Sequence, residues 1–241
     1  MALSVATNHF QFEPCQAAKS GIKQWARPVP TFDLVNRNTE SRRGVETYIG
    51  NKFKASYGAT LSEYLPLFLT MRCAGQLSGV AGISPASENQ PLFLEQYLEL
   101  PIEQLMQQIF DEEINRGKIV EVGNLVATEN GASRVIFIVL ASALYRAGFE
   151  WMAFTATRPL RASLQKLGFE NASLAKAELS SLTMGTVKNW GSYYQQEPEV
   201  VVGRLSCAME IIEKRKLFRC IQGLYKNRIA LLADQLRDGC V

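Results

Sequence analysis

Apolar and polar positions along the chain recur with two different periods, and their order predicts an α/β fold. From residue 40 to residue 57 the apolar side chains follow a helical spacing, and Gly58 ends this pattern as a typical stop signal. Only Cys73, Ala74 and Gly75 separate two apolar runs, which is typical of a β-hairpin. The runs that predict strands are residues 31–35, 65–72, 76–84, 118–127, 150–157 and 199–205.

The middle of the chain predicts the order strand, helix, strand, helix between residues 118 and 168. Two strands joined by a helix are expected to be parallel, with a right-handed crossover. Residues 172–188 form a variable stretch for which no regular element is predicted. The predicted helices after the first are residues 101–117, 130–147, 158–167 and one long C-terminal helix, residues 208–237.

The composition is that of a folded globular protein, since 47% of the 241 residues are hydrophobic and 20% are charged. The net charge of +3 is too small to indicate nucleic-acid binding, and none is expected. With five cysteines, no C-x-x-C pair and a single histidine (His9), no metal site is expected. No signal peptide is expected, and the longest apolar stretch, residues 135–145, is too short to span a membrane. These features predict a cytoplasmic protein with reduced thiols.

Four segments resemble the thermostable hemolysin family, and they occur in the same order over about residues 31–205: residues 91–98, 119–125, 149–161 and 190–194. The strand–helix–strand–helix core behind antiparallel strands is also similar to the GNAT acyltransferases. More narrowly, it is similar to the acyl-homoserine-lactone synthases. This resemblance implies a GNAT-like fold, in which helices flank a central, mixed and twisted sheet.

The resemblance further implies an N-acyltransferase that moves an acyl group from acyl-coenzyme A or an acyl carrier protein to the amine of a small molecule. The thioester would then be a co-substrate, and no permanently bound cofactor is expected. The alternative is a membrane-active or partner-binding protein without catalysis. The chain divides into an irregular N-terminal arm (residues 1–30), an acyltransferase domain (31–206) and a basic amphipathic C-terminal helix (207–241).

A base for the amine is expected in the strand at residues 118–127. The acyl-homoserine-lactone synthases carry an acidic residue in a strand of the form Trp-Glu-x-Ser-Arg-Phe. Glu121 matches that residue, whereas the tryptophan, serine and arginine are absent here. With Val120 and Val122 on one face of the sheet, Glu121 would point to the other. Glu121 is predicted as the general base, and an exposed polar residue is the alternative. Asn124 is predicted as an oxyanion donor, or else as a partner of backbone groups.

The turn after this strand opens a helix and is predicted to bind the phosphate of the thioester. In GNAT enzymes a glycine-containing loop lies at this point, and the N-terminus of a helix presents unpaired N–H groups to an anion. An ordinary helix cap is the alternative interpretation. The candidate residues are Asn130, Gly131, Ala132 and Ser133, with Arg134 adding positive charge.

Substrate contacts are predicted from three groups of residues. Small hydroxylated and basic residues after the second parallel strand suit a phosphate or carboxylate, or else form a capped helix with solvated arginines. The resemblance to the synthases, whose N-terminal helix is rich in arginine, adds two arginines. Aromatic residues suit a wall for the acyl group or substrate, although such clusters are more often core. The substrate-binding candidates are Arg42, Arg43, Phe93, Tyr97, Thr155, Thr157, Arg158, Arg161 and Trp190.

The C-terminal helix is strongly basic. Between residues 208 and 237, seven basic and three acidic residues leave a charge of +4, which exceeds the +3 of the whole chain. Such a helix can pack with a solvated charged face, or it can dock an acidic acyl carrier protein. A third use is contact with anionic lipid, which would place the protein at the periphery of the inner membrane.

Overall fold

The strands of the fold form where apolar residues alternate or run continuously. The computed structural model describes the backbone of residues 2–3 and residues 29–127, 131–166, 168–182 and 190–239. The strands are β1 (Ala2–Leu3), β2 (Thr31–Val35), β3 (Leu67–Cys73), β4 (Gln76–Pro85), β5 (Ile119–Ala127), β6 (Trp151–Ala156), β7 (Ala172–Lys176) and β8 (Glu199–Arg204). They form one sheet in the order β2-β3-β4-β5-β6-β8-β7, and β1 pairs with β6.

Helices cover both faces of this sheet. They are α1 (Arg42–Tyr57), α2 (Ile102–Phe110), α3 (Ala132–Ala147), α4 (Arg158–Lys166), α5 (Leu205–Lys214), α6 (Lys216–Leu224) and α7 (Lys226–Arg237). One face packs against α3, α4 and the three C-terminal helices. The other face packs against α1, α2 and two short 3₁₀ helices, Phe93–Tyr97 and Tyr193–Gln196.

The two central strands, β5 and β6, are parallel but stay together only briefly. Their pairing joins Ile119, Val120 and Glu121 to residues 151–153, and it does not continue beyond Glu121. The backbone of β1 pairs in parallel with β6 farther along, at Thr155 and Ala156. The register of β4 against β5 also shifts between Val80 and Gly82. The strands β5 and β6 therefore separate after Glu121, and the backbone of β1 lies between them, paired with β6 and in contact with β5.

Most elements agree with the sequence predictions. The structure confirms the strand at residues 31–35, the helix that ends before Gly58, the hairpin of β3 and β4, and the parallel order of β5 and β6. Gly58 ends α1 in the left-handed conformation, with φ of 67°. The irregular arm predicted for residues 1–30 falls mostly outside the described residues, so it and the three-part division of the chain stay predictions.

One boundary was predicted wrongly. The helix expected to end near residue 117 ends at Phe110, because Asp111 adopts a left-handed conformation with φ of 52°. The turn allows Ile114 to be buried and Arg116 to reach Glu95.

The variable stretch at residues 172–188, for which no element was predicted, begins with the edge strand β7 at residues 172–176. Its small side chains carry little strand signal, and pairing with β8 makes it a strand.

The single long C-terminal helix is also a wrong prediction, because three helices close the described chain. The chain breaks at Arg215, where φ and ψ of −100° and 114° are extended, and again at Tyr225. Helix α5 buries Ala208 and Ile212, whereas α7 buries Ile229 and Leu232. These two pairs would lie on different sides of one straight helix of 3.6 residues per turn. Bending the chain allows both pairs to reach the core.

Candidate active site

The carboxylate of Glu121 lies at the point where β5 and β6 separate. Its side chain is fully buried. Val120 and Val122 belong to the core on the α3 face, so Glu121 points to the α1 face, as strand alternation predicts. The Oε2 atom accepts a hydrogen bond of 2.8 Å from the backbone N–H of Phe93. The alternative of an exposed surface glutamate is therefore excluded.

Aromatic side chains cluster on the α1 face, where the backbone of Phe93 binds this carboxylate. The ring of Trp190 lies 6.4 Å from that of Phe93 and 5.8 Å from that of Tyr194. The hydroxyl groups of Tyr97 and Tyr194 are 2.7 Å apart. Burial raises the pKa of Tyr97 well above its usual value, and burial, partly offset by the hydrogen bond with Tyr97, raises the pKa of Tyr194 to about 12. Both hydroxyls therefore keep their protons at neutral pH.

An ion-pair network holds the 3₁₀ helix that carries Phe93 and Tyr97. Arg116 binds Glu95 at 2.7 Å and Glu103 at 2.6 Å. Glu95 also accepts hydrogen bonds from the N–H groups of Leu92 and Ile102. Burial by itself raises the pKa of Glu95, but the hydrogen bonds from Arg116 and from these two N–H groups bring it below its usual value. The network thereby fixes the position from which the N–H of Phe93 reaches Glu121.

We expect Arg116→Met to destabilise the protein and to change its response to acid. Breaking a buried ion pair costs roughly 3–5 kcal/mol, and the partial hydration of this network reduces the loss to about 2 kcal/mol. Because the folded pKa of Glu95 is lowered, its stabilisation is present above the ordinary value of 4.5 and is lost as pH falls below it. The free energy of unfolding of Arg116→Met should therefore fall less between neutral and acid pH than that of the wild type.

Urea unfolding from neutral pH down to pH values below 4.5 measures this effect. The exposed Arg37 offers a matched control, and Arg37→Met should unfold as the wild type does. Equal acid dependence in Arg116→Met and the wild type would contradict the role given to this network.

Asn124 lies in a bulge of β5 on the same face as Glu121. Its φ of 47° is left-handed, a conformation that asparagine tolerates better than most residues. The side chain is fully buried, and Oδ1 accepts a hydrogen bond of 3.2 Å from the N–H of Leu65. The Nδ2 group has no hydrogen-bond partner within the part of the chain that the structure describes. A buried donor of this kind costs stability unless a ligand satisfies it.

The two arginines at the start of α1 have different surroundings. Arg42 is buried and donates to the carbonyls of Leu65 and Pro66 at 2.8 and 2.7 Å and to Glu46 at 2.7 Å. Its guanidinium thereby holds the segment whose N–H binds Asn124, which indicates a structural role. Arg43 is exposed on the outer side of α1, away from the sheet. The structure does not bring either arginine to Glu121 as a free cation.

An apolar cavity lies on the opposite face of β5 and β6. Its volume is small, about 30 Å³, because the surrounding side chains fill most of the space. Ser133 and Arg134, in the first turn of α3, lie at its wall, together with four phenylalanines. The lining residues are Val122, Leu125, Ser133, Arg134, Phe137, Ile138, Leu140, Met152, Phe154, Leu160, Leu164, Phe169 and Phe218.

The predicted phosphate-binding turn lies beside this cavity. Gly131 precedes α3 with φ of 93°, and Ala132, Ser133 and Arg134 form the first turn; Asn130 lies outside the described residues. Burial and the neighbouring charge of Arg215 lower the pKa of Arg134. Arg215 stacks on Phe218, with its guanidinium carbon 5.4 Å from the ring centre. Two cations and the N-terminus of α3 thus lie together at the cavity.

The polar residues at the start of α4 are divided between the interior and the surface. Thr155 and Thr157 are buried, and the hydroxyl of Thr155 has no partner among the described residues. Arg158 forms an exposed ion pair with Glu197 at 3.3 Å, and Arg161 binds Glu199 at 2.7 Å. Both arginines are neutralised by the chain itself, in agreement with the alternative of a helix with charged surface residues.

Comparison with known proteins identifies the family. The sequence profile of thermostable hemolysin matches residues 35–209. The chain belongs to the thermostable hemolysin family. The matched residues include the two central strands, Glu121, and all of α3 and α4. The resemblance found in the sequence is therefore confirmed. None of the curated protein sequences matches the chain.

Two solved structures are similar to this chain. The AHL synthase LasI has a TM-score of 0.50 and 11% identity over 74% of this chain and 91% of its own. FeeM, an N-acyl amino acid synthase from uncultured soil microbes, has a TM-score of 0.49 and 11% identity over 79% of this chain and 98% of its own. The likeness to LasI confirms the GNAT-like fold of this family member.

No helix in residues 29–127, 131–166, 168–182 and 190–239 is both long and apolar enough to cross a membrane. Within the same ranges, no cluster of histidine, cysteine, aspartate and glutamate forms a metal site.

Sequence reasoning missed several residues of the site. Tyr194 lies in one of the segments that resemble the family, which was the available signal. Arg116 was taken as the end of a helix, and nothing local shows that it binds Glu95. Phe137 and Phe218 line the cavity from helices that are far apart in sequence, so no local pattern indicates that they meet there.

Proposed function

We propose that the protein is an N-acyltransferase that moves an acyl group from an acyl thioester to the amine of a small molecule. One observation carries this proposal: the buried carboxylate of Glu121 lies where β5 and β6 separate, and an apolar cavity lies on the other face of the same strands. A base and an apolar pocket on the two faces of the sheet, where β5 and β6 separate, suit acyl transfer between these strands by a thioester that displaces β1. The fold shared with LasI, an AHL synthase, supports the proposal.

Glu121 acts as the general base. Its carboxylate accepts a proton from the ammonium group of the acceptor, and the N–H of Phe93 keeps Oε2 in place. The freed amine attacks the thioester carbon and forms a tetrahedral intermediate with a negative oxygen. That oxygen receives a hydrogen bond from Nδ2 of Asn124, which has no other partner in the described chain. The carbon–sulfur bond then breaks, the nitrogen gives its second proton to the departing thiolate, and the amide and the free thiol leave.

The aromatic residues beside Glu121 form the wall of the amine site. Phe93, Tyr97 and Trp190 supply apolar surface next to the base, and Thr155 adds a buried hydroxyl on β6. Buried apolar surface excludes water, which strengthens the electrostatic contacts of the reacting groups. The acceptor is therefore a small amine whose side chain suits an aromatic wall.

The cavity holds the acyl chain, and the basic residues at its edge bind the phosphate of the thioester. Phe137, Phe154 and Phe169 give the cavity an apolar lining, and these rings would move apart to admit a fatty chain. The phosphate would accept hydrogen bonds from the N–H groups of Gly131, Ala132 and Ser133. Its negative charge would be balanced by Arg134 and Arg215. Coenzyme A and the prosthetic arm of an acyl carrier protein share that phosphate. The exposed cations from Lys214 to Arg219 would also attract an acidic carrier.

The test is thiol release by the purified protein from acetyl- to palmitoyl-coenzyme A and from the matching carrier-protein thioesters, with a mixture of common amino acids and polyamines. Each buried methylene contributes about 0.8 kcal/mol, so KM should fall about fourfold per methylene until the cavity is filled. Release should require an amine. Equal KM for acetyl and long-chain thioesters, or no release from any donor, would overturn the proposal.

A second candidate is a protein that acts at a lipid surface through residues 208–237. The observation that favours it is a set of exposed leucines near the basic residues: Leu217, Leu224 and Leu231 are 54%, 66% and 54% exposed. Truncation of this segment would not test it cleanly, because Ile212, Phe218 and Leu232 belong to the main core. Absence of thiol release would favour this candidate.

A further inference from the structure

The proposed base faces a problem of proton transfer. The Glu121 side chain is fully buried, so a proton taken from the acceptor amine has no direct contact with bulk solvent. Glu121 must lose that proton before the next turnover. A buried base therefore needs a chain of hydrogen-bonding groups that leads to the surface.

The tyrosines on the α1 face provide such a chain. Tyr97 is almost fully buried, and its hydroxyl lies 2.7 Å from that of Tyr194, which is partly exposed. Phe93 binds Glu121 through its N–H and begins the 3₁₀ helix that ends at Tyr97. The two hydroxyls come from segments about a hundred residues apart, and their contact leads from the neighbourhood of Glu121 toward the surface.

We infer that Tyr97 and Tyr194 relay the proton of Glu121 to solvent. This inference rests on the proposed function. The Glu121 carboxyl passes its proton to the hydroxyl oxygen of Tyr97, Tyr97 passes its own proton to the oxygen of Tyr194, and Tyr194 passes its own to water. Each hydroxyl gains one proton as it loses another, so both tyrosines end neutral and Glu121 ends as a carboxylate.

The electrostatics of the pair agree with this route. Burial raises the pKa of Tyr97, which lies on the same 3₁₀ helix as the Phe93 N–H that binds Glu121. Burial also raises the pKa of Tyr194 to about 12, and the hydrogen bond with Tyr97 opposes this rise. Neither tyrosine is therefore ionised at neutral pH, so a stepwise route through a tyrosinate is unfavourable. A concerted transfer through neutral hydroxyls avoids that charge.

The test compares three substitutions that each remove one hydroxyl. Tyr97→Phe and Tyr194→Phe interrupt the relay. Tyr193→Phe is the matched control, because Tyr193 lies beside Tyr194, is fully buried, and its hydroxyl has no partner among the described residues. The assay is steady-state thiol release with the acyl-coenzyme A panel, with the solvent deuterium isotope effect on kcat and the effect of added imidazole.

We expect Tyr194→Phe and Tyr97→Phe to lower kcat by about tenfold, less than the roughly 10²- to 10⁴-fold typical of the base itself, with KM little changed. Imidazole should restore part of the kcat of Tyr194→Phe, because a soluble base can replace the outer group of the relay. The control should retain the wild-type kcat. A structural role alone would change neither the isotope effect nor the response to imidazole.

Two outcomes overturn the inference, and they are distinguishable. If Tyr194→Phe keeps the wild-type kcat and isotope effect, as the control Tyr193→Phe should, the relay is overturned and the proposed acyltransferase stands. No thiol release from the wild-type protein would overturn the proposed function and the relay with it.

Discussion

Glu121→Gln is expected to lower kcat for acyl transfer by about 10²- to 10⁴-fold, the usual contribution of a general base. Glutamine has nearly the same shape, and its side-chain oxygen can still accept the hydrogen bond from the N–H of Phe93. It cannot take a proton from the acceptor ammonium. Because glutamine fills the same volume and keeps that hydrogen bond, the free energy of unfolding should change little. Binding of the thioester, on the other face of the sheet, should also persist.

The measurement is thiol release at saturating thioester and amine, with thioester binding measured separately by calorimetry. Glu63→Gln is the matched control, because Glu63 is an exposed carboxylate, and it should have the wild-type kcat. Wild-type kcat in Glu121→Gln would remove this residue from the mechanism. Loss of thioester binding together with kcat would instead indicate a structural role for the carboxylate.

Gly191→Ala is expected to cause the largest loss of stability among the substitutions considered. Gly191 has φ of 52°, and an added Cβ would lie 1.9 Å from the carbonyl oxygen of Tyr57. The neighbouring Ser192 N–H binds that same carbonyl at 2.9 Å, which holds this segment against the end of α1. Left-handed strain costs about 1–2 kcal/mol and overpacking about 1–3 kcal/mol, so the free energy of unfolding should fall by roughly 2–5 kcal/mol. The displaced Trp190 and Tyr194 would also reduce transfer.

Urea unfolding measures the change, and Gly44→Ala provides the control. Gly44 lies on the exposed side of α1, where an added Cβ meets nothing within 4 Å. Alanine there should stabilise the protein by about 0.5–1 kcal/mol, because it favours the helix. An unchanged unfolding midpoint in Gly191→Ala would mean that the approach of this segment to Tyr57 is looser than the structure shows.

Much of the fold follows from local pattern. The helix at Val45, Ile49 and Phe53 repeats apolar residues at the spacing of one face, and all three are buried. The run of β5 is apolar because both of its faces are covered, and Glu121 is conspicuous for that reason. Turn residues such as Gly58 and Gly75 end elements where positive φ is needed. These are short-range effects of backbone geometry and burial, so the sequence carries them directly.

The site depended more on contacts between distant segments. Glu121 and Phe93 could be proposed from the sequence, but their hydrogen bond and the 2.7 Å contact of Tyr97 with Tyr194 join separate segments. Arg42 was expected to bind substrate, yet the carbonyls of Leu65 and Pro66 engage its guanidinium. A side chain's local pattern does not specify which distant polar group will satisfy it.

The sequence by itself determined the α/β class, the order of the central elements and that Glu121 points to the face of β5 opposite to Val120 and Val122. Only the tertiary structure decided that β5 and β6 separate after Glu121, that the apolar cavity lies on the opposite face, and that the C-terminal segment bends into three helices. The reason is physical. Periodicity reports whether a residue faces a core, whereas the position of a strand separation, a cavity or a bend depends on how whole elements pack against one another.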